Sequence, residues 1–181
     1  MRLPVPTPDP AQIRIARDFT LAEVLRSREH PELQTTPDQL TGQQTVNFMR
    51  LTHEFLQPAR NRLDHRFIMN SWLRSEALDR VVTDGKVSRM RRHLLGLAAD
   101  FYVHDIPAQI MLRTIARNPE DLVWDRLCLY SRENRLHVDT CPWEEGPPRK
   151  LFYIDWVEVS IDLAIQFSTA GLGPSQGGGT P

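Results

Sequence analysis

Arg92-His93-Leu94-Leu95-Gly96-Leu97-Ala98-Ala99-Asp100-Phe101 sets a histidine and an aspartate seven residues apart across small and apolar residues. Residues 99–103 read as a strand, so the carboxylate would stand near its start. Downstream, Arg135-Leu136-His137-Val138 places a second histidine in another strand. Two imidazoles and one carboxylate make a reasonable zinc set. Zinc accepts nitrogen and carboxylate oxygen at about 2.0–2.2 Å, and a catalytic site uses three protein ligands plus water. Gly96 and Ala98 would let the backbone turn closely past the ion. Spacing alone leaves a second reading open, in which the two residues are unrelated surface and core positions.

Outward from this stretch, helical and extended patterns alternate. Thr20 and Glu23 make a capping box, so a short helix should start there. Residues 32–42, with Pro37, read as loop. Over 45–63, apolar residues recur at helical spacing, and Pro58 is expected to kink or divide that helix. Residues 66–73, 125–130 and 135–139 read as strands, with 131–134 as a tight connection. Residues 76–82 predict a short helix ended near Asp84-Gly85. Residues 107–117 predict a helix whose apolar face carries Ile110, Met111, Leu112 and Ile115. Residues 142–150 form a polar loop. Residues 151–167 are strongly apolar and fit either a strand followed by a helix or one long helix. The pattern is α+β: helices packed on a small, largely antiparallel sheet. The expected organisation is a proline-rich extended arm over 1–17, a domain over 18–140, a C-terminal extension over 141–170, and a flexible glycine-rich tail over 171–181.

The 181 residues suit one domain with extensions, and 40% hydrophobic with 25% charged residues promises a real core. The net charge of −1 argues against a nucleic-acid binder. No run is long enough to span a bilayer. The opening MRLPVPTPDP lacks the apolar centre of a secretory signal, so cytoplasmic synthesis is expected. The two cysteines, Cys128 and Cys141, fit no paired zinc motif and read as inert core.

His93, Gly96, Ala98 and Asp100 form H-x-x-G-x-A-x-D. This resembles the signature of the D-alanyl-D-alanine carboxypeptidase type of zinc peptidase, a group that includes phage murein endopeptidases and the Hedgehog signalling domain. DFTLAEVLRS (18–27) is similar to the group's opening segment in phage-associated members. Asn70 to Ser75 resembles its strand end "SGYRS", and DRLCL (125–129) resembles the strand before the last ligand. The blocks occur in the family's order over roughly residues 18–140. The resemblance implies Zn2+ held by His93, Asp100 and His137, a cell-wall peptide as substrate, and Arg74 as the residue that grips a substrate carboxylate. Trp72 replaces the family's tyrosine and is expected to pack.

Two positions depart from the pattern. Arg91 stands where the family carries a small polar residue, and it either weakens metal binding by repulsion or points to solvent. Tyr130 stands where the family places its catalytic carboxylate, and a phenol is a poor base at neutral pH. Glu133, four residues before His137, is the remaining candidate to shuttle the proton of a zinc-activated water. The alternative expectation is a phage virion protein that kept the fold, lost the reaction, and uses its terminal arms to contact other virion proteins.

Overall fold

The computed structural model of the chain describes residues 9–85 and 91–170. Residues 1–8 of the proline-rich arm, Arg89 and Met90 of the basic run, and the glycine-rich tail lie outside the described residues. A short hairpin, β1 (Arg14–Ala16) with β2 (Phe19–Thr20), opens the described fold. The end of the arm is therefore fastened down, with Ile15 buried in the main core. Helix α1 (Leu21–Leu25) follows; the Glu23 carboxylate accepts from the Thr20 N–H at 2.9 Å, closing the expected capping box. The loop before the long helix holds two single 3₁₀ turns, Pro31–Leu33 and Pro37–Gln39.

The long helix runs as α2 (Gly42–Leu51), a π turn (Thr52–Leu56) and α3 (Gln57–Leu63). The division expected at Pro58 takes the form of the π turn. The Gln57 N–H reaches back five residues to the Thr52 carbonyl. Proline cannot donate to the Glu54 carbonyl, which instead accepts from the Val123 N–H at 3.0 Å. The wide turn thus accommodates the proline, and the carbonyl it frees anchors the segment leading into β5.

Six strands form the main sheet in the order β3 (Phe67–Ser71), β4 (Ala98–Val103), β6 (Arg135–Asp139), β5 (Arg126–Tyr130), β7 (Leu151–Ile154) and β8 (Val157–Val159). All neighbours are antiparallel except β5 and β7. Helix α4 (Glu76–Val82) follows β3, α5 (Ala108–Ala116) follows β4, and α6 (Ile161–Ala170) follows β8. The apolar stretch 151–167 is therefore a hairpin and a helix, not one long helix. Asp155 and Trp156 make its two-residue turn with φ of 46° and 65°, the left-handed pair that a tight hairpin needs.

Alternation along the strands separates two faces. Phe67, Met69, Phe101, Val103, Leu127, Leu129, Leu136, Val138 and Phe152 point into the core with the helices. On the other face, strand register lines up Ser71, Asp100, His137, Cys128, Tyr153 and Glu158 in one row across all six strands. Because β7 and β8 extend this sheet, residues 141–170 are part of one layered body with 18–140. No helix among the described residues is long and apolar enough to cross a membrane.

Candidate metal centre

The middle of that polar row is the site. Asp100 on β4 and His137 on β6 are direct register partners, and His93 arrives on the turn before β4. One ligand atom from each of the three lies within 4.8 Å of the others. Asp100 Oδ1 stands 2.8 Å from His137 Nδ1, and Asp100 Oδ2 stands 3.5 Å from His93 Nε2. Ligands of a tetrahedral ion with bonds near 2.0–2.1 Å lie roughly 3.3 Å apart. The Asp100–His93 spacing is close to that value, and the Asp100–His137 contact would have to open slightly to take such an ion. All three residues are buried. The donor chemistry, nitrogen with one carboxylate, fits zinc.

The surroundings set each group's protonation. The Trp72 carbonyl can only accept, so His93 Nδ1, 2.8 Å away, is the donor and the Nε2 lone pair is left toward the cluster. Burial first, and the Arg74 charge second, push His93 down to about 3. His137 goes the other way. Burial would lower it, but its hydrogen bonds to Asp100 and Asp139 outweigh that and raise it to about 9. Its Nε2 lies 3.2 Å from Asp139 Oδ2, the carboxylate–histidine contact that orients metal ligands. Asp100 is held well below the usual carboxylate range, because the neighbouring imidazoles and Arg74 overcome the effect of burial.

Gly96 has a different use from the one its place in the motif suggests. It sits at φ +75°, and a Cβ there would lie 3.0 Å from the Gln44 carbonyl. The glycine lets the turn pack against α2 instead of passing the metal. Gln44 and Asn47 then hold the Leu94 and Leu95 carbonyls, each at 2.8 Å, so the long helix positions His93. Trp72 packs as expected, edge-on to Phe19.

Arg74 lines the cavity, but protein groups engage its guanidinium: Asp100 Oδ2 at 2.8 Å, Ser71 Oγ at 2.9 Å and Asp79 at 3.6 Å. Its visible role is to hold the Asp100 carboxylate. Arg91, at the rim of the cavity, turns to Glu76 at 2.9 Å and is half exposed. Glu133 is exposed in the β5–β6 turn and does not line the cavity. It lies in the turn that precedes β6, outside the residues that surround the cluster. Cys128 and Cys141 are buried free thiols outside the ligand cluster; burial lifts Cys128 to about 11.

A cavity of about 280 Å³ opens over the cluster. Besides Tyr130, which the sequence had marked, the cavity brings in Asp139, Arg126 and Trp156, which escaped the sequence reading. Asp139 is two residues past His137, so alternation alone puts both on one face, and that signal was available. Arg126 is its register partner and ion-pairs with it. Tyr130 sits 6.4 Å from the His137 ring; burial, with Asp100 adding to it, pushes its phenol up. Trp156 lies 5.3 Å from the His137 ring and 5.5 Å from the Arg126 guanidinium. It reaches the site only through the hairpin turn, and no local sequence signal foretold that.

No curated protein matches the chain significantly. Residues 18–139, from the strand before α1 to the last residue of β6, match the Peptidase M15 family. That span contains the whole ligand cluster, and the chain belongs to the Peptidase M15 family, the D-Ala-D-Ala carboxypeptidase-like zinc peptidases.

Proposed function

We propose that the chain is a zinc-dependent peptidase-type protein acting on the peptide stems of bacterial cell wall. The observation that carries this reading is the convergence of His93, Asp100 and His137 within 4.8 Å at the floor of a cavity. When bound, zinc supplies Lewis-acid polarisation of a carbonyl and an acidified water. The chain's own residues supply the rest. Trp72 and Asp139 orient the two imidazoles, Arg74 fixes the Asp100 carboxylate, and the aromatic wall of Tyr130 and Trp156 covers one side.

Proton transfer is the weak part of the machinery. The cavity's carboxylates are Asp79, Asp100 and Asp139, each facing an arginine. A general base is worth about 10² to 10⁴ in rate, so slow turnover is expected. Purified zinc-loaded protein should release products from muropeptides, and His93→Ala should abolish release. No zinc-dependent product from the intact chain would remove the hydrolytic reading. Replacing Tyr130 with Glu should raise the rate by about 10²-fold or more if the missing base limits it.

A second reading is a phage virion protein that kept the fold and binds rather than cuts. It is favoured by Tyr130, a half-buried phenol in the expected acid position. Its terminal segments would then contact other virion proteins. A monomer in solution with both termini open to protease would count against it.

A further inference from the structure

The cavity over the ligand cluster carries five arginines, and four have acidic partners. Arg74 faces Asp100, Arg91 faces Glu76, Arg92 faces Glu145 and Arg126 faces Asp139. Arg135 is the fifth. Among the described residues it makes no ion pair, and its buried Nε has no hydrogen-bond partner. Its guanidinium lies over the Tyr130 ring, 4.6 Å from the centroid, a stack that holds the plane without using its N–H groups. Arg135 shares a face of β6 with His137 and Asp139. Two residues of strand place it about 7 Å along from the ligand histidine. The terminal N–H groups of Arg135 have no acceptor among the described residues and, unlike Nε, are not sealed from solvent; a guanidinium held in plane with its donors unspent is open to an acceptor that arrives from outside.

We propose that Arg135 is the anion anchor of this site and takes a carboxylate of the bound peptide, the role that Arg74 cannot fill while Asp100 and Asp79 occupy it. This rests on the peptide-binding reading above. It goes further by naming the residue and the ligand group. Tyr130, which lacks a base's chemistry, then serves as the platform that fixes the guanidinium plane. The separation of about 7 Å leaves room between anchor and ligand cluster for about two residues of extended peptide.

The test uses the zinc-loaded full chain in two arms. In the first, the arginine Nε–H resonances are followed by NMR while N-acetyl-D-alanine or its amide is titrated, with Arg135→Lys and Arg135→Gln identifying the signal. A saturable shift of the Arg135 resonance with the acid, and none with the amide, is expected. Equal response to both, or none, overturns the proposal. In the second arm, a stem pentapeptide is titrated against wild type and Arg135→Gln. Roughly 10- to 100-fold weaker binding is expected, the worth of a charge-assisted contact in a partly buried site, with zinc content unchanged. Amidating one peptide carboxylate should weaken wild-type binding by a similar factor and leave Arg135→Gln unaffected. Equal binding by wild type and variant overturns the anchor. If the acid shifts Arg135 but no peptide is hydrolysed, the hydrolytic reading fails and the anchor stands.

Discussion

At the scale of single residues, two histidines with the same expected role lie in opposite electrostatic settings. His93 donates to a backbone carbonyl and is pushed to about 3, whereas His137 lies between two carboxylates and rises to about 9. For the metal-free chain the signs follow directly. His137, raised above 6.5, stabilises the fold fully below that pH, and the contribution is lost as pH climbs toward 9. His93, lowered from 6.5, contributes fully above it, and its share is lost as pH falls toward 3. Denaturant midpoints of the metal-free chain should therefore decline on both sides of about pH 6.5. Zinc must displace the proton of His137 Nδ1, so loading at pH 7 should release about one proton. Calorimetry in buffers of different ionisation enthalpy reads this, and identical heats in all buffers would refute it.

At the scale of elements, the site depends on parts that bear no ligand. The long helix holds the His93 turn through Gln44 and Asn47, and Gly96 permits that approach. Gly96→Ala meets both a left-handed φ and a backbone oxygen 3.0 Å away. It should cost about 2 kcal/mol or more in urea denaturation, and a change under 0.5 kcal/mol would mean the turn relaxes freely. The β7–β8 turn places Trp156 in a backbone region that bulky residues avoid. Asp155 supports it, its carboxylate accepting from the Ser131 N–H at 2.8 Å while its own N–H donates to the Leu129 carbonyl at 2.8 Å. Strain kept at a cavity wall is where function tends to lie.

At the scale of the molecule, the family's span and the folded body do not coincide. The match ends at residue 139, yet β7 pairs in parallel with β5, Phe152 and Ala164 enter the main core, and α6 packs on α5. Asp125 locks the connection, holding the Arg149 guanidinium at 2.9 and 2.8 Å. A chain ended after Thr140 would expose the β5 edge and part of that core. It is expected to lose its cooperative thermal transition, whereas removal of residues 171–181 should leave it intact. A truncated chain that melts like the full one would show that the extension is an appendage.

Much was readable in order along the chain. Helix and strand periods located most elements, because one face of each had to be apolar. The ordered motif blocks picked out His93, Asp100 and His137 together, since a ligand set needs fixed residue types at fixed places on adjacent strands. Periodicity is silent about what a side chain meets across the sheet. That Arg74 is spent on Asp100, that Glu133 sits in the turn outside the cavity, and that Arg135, alone of the cavity's described arginines, lacks an acid were decided by register and by the turn geometry. So was the arrival of Trp156, from outside the family's span, beside His137. Charge partners are chosen between residues far apart in sequence, over distances of a few ångströms that only the packed chain defines.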